Sequence, residues 1–197
     1  LKLFFNHCDE DQRTLFLTML ATGARPAELL PSDRSGHVAL LKSELDPEAG
    51  TILIRGAKAR PGCKTKTRVV DVSEDLMDRL TELAKRTRGQ HVFAGNQSLC
   101  KLFDRILETA GIPKLDPLGR KLTAHSFRHT YATRMAQAIG GNPFLLKQIL
   151  GHSQISTTDR YCHLAGSSPK VEVVEFLESA QGVDVKNGCQ EKKKAVG

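Results

Sequence analysis

The chain has 197 residues, 40% of them hydrophobic, enough to bury one core and to make a single compact domain the default expectation. Its 29 basic side chains exceed the 22 acidic ones for a formal net charge of +7, which favours a polyanionic partner, while an aromatic content of 5% without tryptophan argues against a single-strand binder built on stacking platforms. No apolar run approaches the ~20 residues that span a bilayer, no signal peptide opens the chain, and Cys8, Cys63, Cys100, Cys162 and Cys189 are scattered as in a reduced, cytoplasmic protein with no membrane partner.

Asp9 and Gln12 form a capping-box pattern opening a helix whose Leu15, Met19 and Leu20 face inward and which stops at Gly23. The run Thr22-Gly23-Ala24-Arg25-Pro26-Ala27-Glu28 then sets an arginine at a tight turn leading into a second helix, where backbone amides and a guanidinium can face one anion. Glu28 stands three residues on, either orienting Arg25 or serving as an ordinary helix-surface carboxylate. Residues 51–54 and 68–72 read as paired β-branched strands. Around them Arg55, Lys58, Arg60, Lys64, Lys66 and Arg68 form a basic ribbon suited to lie along a DNA groove and contact phosphates.

Ser73 caps a helix to about Arg86 with Leu76, Leu80 and Leu83 on its buried stripe. Residues 91–94 suggest a short strand, and 99–110 an amphipathic helix closed by Gly111 and Pro113. From Thr123 to Ala138, Phe127, Tyr131, Met135 and Ala138 recur at helical spacing until Gly140-Gly141, with Tyr131 read as core. Asn142-Pro143 opens a short helix that leads to His152, and Tyr161 follows on the next helix. A last helix is expected over 170–180, so the domain spans 1–181, and the basic segment 182–197 reads as a mobile tail.

The last third carries chemistry. Tyr161 can attack phosphorus once its proton, with an ordinary pKa near ~10, is drawn off. Arg128 offers a planar, permanently charged fork for two phosphate oxygens. His125 lies three residues before it and so shares its helix face. His125 and His129 are spaced like two metal ligands, but no third ligand is placed near them and the glutamate of a zinc protease is missing, so no metal or other cofactor is expected.

Thr-Gly-x-Arg-x-x-Glu-Leu, His-x-x-Arg, Leu-Gly-His and Ser-Thr-Thr-x-x-Tyr occur in this order, and over roughly residues 10–165 the chain resembles the catalytic domain of the tyrosine recombinases, the phage integrase family. The resemblance implies an α+β, mainly helical fold with a small antiparallel sheet at one edge. It implies a site-specific recombinase that breaks and rejoins double-stranded DNA through a 3'-phosphotyrosine, in integration or excision of a mobile element, and that assembles as a tetramer on DNA. Arg25, His125, Arg128, His152 and Tyr161 fall on the family's catalytic positions, with His125 as base for the tyrosine. The family's hairpin lysine, the general acid, falls on Lys58 counting along the first strand and nearer Lys64 or Lys66 counting back from the second. Two departures are a longer turn at 59–67 and an apparent insertion at 31–39. The separate amino-terminal clamp domain of such enzymes has no counterpart here, as expected of a catalytic domain taken from a longer protein. A type IB topoisomerase and a catalytically inactive DNA-binding relative are the alternatives, the intact residue set speaking against the second.

Overall fold

The computed structural model describes residues 1–31, 39–56, 67–95, 98–152 and 154–165, with the backbone alone at 163–165. A short helix α1 (Lys2–Asn6) leads into α2 (Glu10–Thr22), which starts where the local chemistry requires. The Asp9 carboxylate accepts from the Gln12 amide at 2.8 Å, and the Gln12 side chain accepts from the Asp9 amide at 3.2 Å. Gly23 closes α2 in the left-handed region at φ 61°, and α3 (Pro26–Leu29) follows with proline at its first position. Thr14, Thr18 and Thr22 are buried on α2, each hydroxyl donating to the carbonyl four residues back, so none of the three is stranded in the core.

The sheet is antiparallel, in the order β1 (Leu45–Asp46), β2 (Thr51–Arg55), β3 (Thr67–Asp71). Its register runs from Thr51 opposite Asp71 to Arg55 opposite Thr67, and Ile52 and Ile54 point wholly into the core. Lys58, Arg60, Lys64 and Lys66 lie outside the described residues.

Helices then dominate: α4 (Glu74–Arg86), α5 (Leu99–Thr109), α6 (His125–Ala138), α7 (Pro143–Leu150) and α8 (Ser156–Ala165). The Ser73 and Asn142 side chains cap α4 and α7 as expected. A main core gathers α1, α2, the sheet, α4, α5 and the start of α6, and a smaller one joins α6, α7 and α8 through Ala132, Ala136, Leu146, Leu150 and Tyr161. The mainly helical α+β class holds. Among the described residues no helix is long and apolar enough to cross a membrane, and Cys8, Cys100 and Cys162 are free thiols.

Three local expectations need correction. The strand at 91–94 reduces to a single bridge between His91 and Leu41, flanked by hydrogen bonds from the Val92 amide to the Leu40 carbonyl at 3.1 Å and from the Lys42 amide to the Gln90 carbonyl at 2.9 Å, with Val92 and Phe93 buried. Helix α6 begins at His125 instead of Thr123, whose amide donates to the Ser126 hydroxyl at 3.1 Å. Helix α1 was not anticipated. The helix expected at 170–180, the tail, and most of the insertion at 31–39 lie outside the described residues.

Phe4 of α1 meets Phe5, Phe16, Phe103 and Phe127, with ring centroids 5.1–5.7 Å apart, and fixes the start of the chain to the core. Phe4→Ala therefore lowers stability by about 3–5 kcal/mol, the range for emptying a packed aromatic site. Urea unfolding checks this, and a loss below ~1 kcal/mol would mean that α1 is not part of the core.

Candidate active site

Arg128 is the most buried of the predicted site cations among the described residues, 6% exposed at the fourth position of α6. Its guanidinium donates to the Gly23 carbonyl at the end of α2 and, at 2.7 Å, to the Leu150 carbonyl at the end of α7. Helix carboxyl ends leave carbonyls unpaired and carry partial negative charge, so both are suited to hold a cation. Burial pushes the Arg128 pKa down to about 10, with Arg25 and Arg68 adding to the shift and Glu28 opposing it, and it stays cationic at neutral pH. Gly23 admits no side chain here: a Cβ would stand 2.3 Å from the Tyr131 ring.

Arg25 is held by Glu28, whose side chain is fully buried. The Glu28 carboxylate accepts from the Arg25 amide at 2.9 Å, from the Arg25 guanidinium at 3.0 Å, and from Arg68 of β3 at 2.7 Å. Burial works to raise the Glu28 pKa, but the hydrogen bond and charge of Arg68, followed by those of Arg25, outweigh it and hold the carboxyl below its ordinary value. Of the two readings of Glu28, the structure selects the one that orients Arg25.

His152 follows Gly151, which ends α7 in the left-handed region at φ 64°. The imidazole is buried, with Nδ1 2.9 Å from the Thr158 hydroxyl on α8. Burial, then the charges of Arg128, Arg25, Arg160 and Arg68, push its pKa down to about 4. It is therefore neutral at pH 7, and one ring nitrogen remains available as a donor or acceptor. Tyr161, one turn beyond Thr158, is 7% exposed, and burial raises its pKa against the pull of Arg160 and Arg128.

The tyrosine's partner differs from the expected one. His129, not His125, meets the Tyr161 hydroxyl, with Nδ1 at 2.5 Å. Desolvation and the surrounding cations, led by Arg160, lower the His129 pKa, so the ring is neutral and able to accept the proton. His125 stands exposed at the first position of α6. The two histidines are one turn apart, and the packing of α8 on α6 decides which of them the tyrosine reaches.

The two described members of the basic ribbon are paired within the fold. Arg55 forms an ion pair with Glu44, and Arg68 turns inward onto Glu28 with its side chain 10% exposed, so neither projects freely from the sheet. Arg68, Glu28, Gly151, His152 and Lys147 line an open cleft of about 400 Å³. The sequence reads Arg68 as a DNA contact of the ribbon, whereas here it lines the cleft and pairs with Glu28; strand alternation, which puts it on the same face as Val70 and Val72, is an available sign. His129 carried a signal too, sharing its face with His125. Thr158 had none beyond its motif. Among the described residues no three His, Cys, Asp or Glu side chains gather to hold a metal ion.

The model of the phage integrase family matches residues 1–167, a span that takes in every described element. The chain belongs to this family of tyrosine recombinases. It is 29% identical over 180 residues to the tyrosine recombinase XerA of Saccharolobus solfataricus, the match covering 89% of this chain and 54% of that protein. The catalytic domain of bacteriophage HP1 integrase superposes with a TM-score of 0.57 at 29% identity, over 95% of this chain and 93% of that domain. XerH recombinase bound to a palindromic difH substrate superposes with a TM-score of 0.61 at 22% identity, over 92% of this chain and 50% of XerH. The chain spans about half the length of the named tyrosine recombinases it matches.

The depressed His152 pKa has a measurable sign. In the unfolded chain this imidazole takes up its proton near pH ~6.5, whereas in the fold it resists down to about 4, so protons favour unfolding across that window. Stability is full above pH ~6.5 and falls as pH drops towards 4, with His152 contributing on the order of 2 kcal/mol. His152→Gln should flatten that part of the stability profile in urea melts taken across the window, and an unchanged slope would locate the pH dependence elsewhere.

Proposed function

We propose that this chain is the catalytic part of a site-specific DNA recombinase that breaks and rejoins strands through a covalent 3'-phosphotyrosine. The observation that carries this reading is the Tyr161 hydroxyl against a neutral His129 on the same helix as the buried Arg128. The net charge of +7 and the excess of guanidinium around the cleft favour a nucleic-acid partner. In the full-length protein the partner is double-stranded DNA, the assembly a tetramer, and the use integration or excision of a mobile element.

Arg25 and Arg128 hold the non-bridging oxygens of the scissile phosphate and offset the charge that grows in the transition state, with His152 hydrogen-bonding the same group. Tyr161 attacks in line: the oxygen–phosphorus bond to tyrosine forms, the bond to the 5' oxygen breaks, and His129 takes the phenolic proton. The departing 5' oxygen takes a proton from a hairpin lysine, Lys58 or else Lys64 or Lys66. Since an ester is exchanged for an ester, a 5'-hydroxyl can reverse the step without ATP. Two arginines and a histidine fill the electrostatic role that Mg²⁺ has in many nucleases, so the proposed cleavage runs in excess chelator.

Tyr161→Phe removes the covalent adduct on a nicked site while leaving DNA affinity nearly unchanged, because only a hydroxyl is lost. An adduct formed by the Phe variant would show that the nucleophile is another residue. His129→Ala slows adduct formation by about 10²–10⁴-fold, the worth of a positioned base, and His125→Ala by less. The reverse order would return the base to His125.

For the leaving group, Lys58→Ala slows cleavage of a normal phosphodiester and is rescued by a 5'-phosphorothiolate, whose thiolate leaves unprotonated. Rescue of Lys64→Ala or Lys66→Ala in its place would move the general acid along the hairpin.

A further inference from the structure

We propose that Arg68 is a positioning residue of the cleavage site, which acts through Glu28 to keep the Arg25 guanidinium free for the scissile phosphate. The inference rests on the recombinase chemistry above and adds a residue to it. It starts from an anomaly in the sheet. Arg68 pairs with Ile54, and directly opposed residues of an antiparallel pair point to the same side. Ile54 is wholly buried, so Arg68 holds an inward position where an aliphatic side chain would pack, while its neighbour Val69 is 64% exposed. An inward guanidinium is retained only if it is paired, and its partner is the buried Glu28.

The geometry around Glu28 gives this pairing a consequence. Oε2 is taken by Arg68 and by the Arg25 amide, so the Arg25 guanidinium has only Oε1 to bond, through one nitrogen. A carboxylate and a guanidinium left to themselves close into a two-bond fork. Arg68 blocks that closure, and the rest of the Arg25 fork stays available to a ligand. Two further features place Arg68 at the site: its Nε is buried without a hydrogen-bond partner, and its Nη1 lies beside Gly151, next to His152, 3.4 Å from where a Cβ there would project. Arg25, Arg68 and Arg128 against Glu28 leave two positive charges in excess, which suits a phosphodiester gaining negative charge as tyrosine attacks.

The test compares full-length parent and Arg68→Met on two nicked substrates, one with a normal scissile phosphate and one with a neutral methylphosphonate there. On the phosphate, the variant forms adduct slower by on the order of 10²-fold, with Kd within about threefold of the parent. On the methylphosphonate, which has less charge to offset, the defect shrinks to within about threefold. Glu28→Gln added to Arg68→Met releases Arg25 from the charged fork and restores part of the rate on the phosphate. Equal losses on both substrates, or a loss in Kd alone, overturn the inference, the latter returning Arg68 to plain DNA contact. If Arg68→Met does not fold, as judged by circular dichroism, Arg68→Lys is read by the same ratio, and an unchanged ratio then overturns the inference. Tyr161→Phe run alongside separates the two claims: an adduct there overturns the chemistry itself, whereas parental rates in the Arg68 variants overturn the role of Arg68 alone.

Discussion

The buried guanidinium of Arg128, donating to the last carbonyls of two helices, is the constraint on which the rest of the site depends. Its bonds to Gly23 and Leu150 tie together segments 105 and 22 residues away in sequence. Arg25 lies two residues past Gly23, and His152 two residues past Leu150, so a displacement of this side chain moves both. The helix ends matter because, among the described residues, no carboxylate bonds Arg128 directly. Partial negative charge from α2 and α7 offsets a cation that burial would otherwise penalise strongly, and it takes one N–H from each terminal nitrogen, leaving the rest of the guanidinium's donors for a ligand. A bidentate carboxylate in the same place would hold the arginine as firmly and leave it half neutralised.

The same logic separates Glu28 and Glu44, the two buried acids among the described residues. Glu44 takes the Leu41 amide at 2.8 Å and pairs with Arg55 away from the cleft, a structural use. Glu28 shares its two oxygens among three donors at the cleft edge, holding Arg25 in place without cancelling the local charge. The glycines at 23 and 151 belong to this arrangement as well, since each ends a helix in the left-handed region where the Gly23 and Leu150 carbonyls face Arg128, and a Cβ at 23 would also run into the Tyr131 ring.

Local chemistry made much of the fold legible. Asp9, Ser73 and Asn142 are caps whose function is set within a few residues, and each begins a helix where the sequence puts it. The motif order similarly brings Arg25, Arg128, His152 and Tyr161 into one neighbourhood. What escaped depends on packing between distant elements. Phe4 and Phe5 show no period in a five-residue segment, and only the aromatic cluster they join makes α1 a helix. The choice between His125 and His129 is a matter of one turn, fixed by where α8 crosses α6. Arg68 was taken for one more charge on a basic ribbon because its neighbours in sequence are basic, when its parity with Val70 and Val72 assigned it to the inner face.

The electrostatics also constrain how the proposed attack proceeds. With the cleft empty, burial keeps Tyr161 protonated while the nearby arginines pull its pKa down, and the same cations depress His129. An incoming phosphate neutralises part of that field, which makes His129 a stronger base and Tyr161 a weaker acid. Both pKa values move in the same direction, so the driving force for passing the proton between them changes little. Substrate binding therefore cannot act by producing free tyrosinate ahead of the reaction. The proton has to move to His129 as the oxygen–phosphorus bond forms, when the falling charge on the phenolic oxygen releases it. In the proposed reaction, a hydroxyl already 2.5 Å from the His129 Nδ1 is suited to that coupled step.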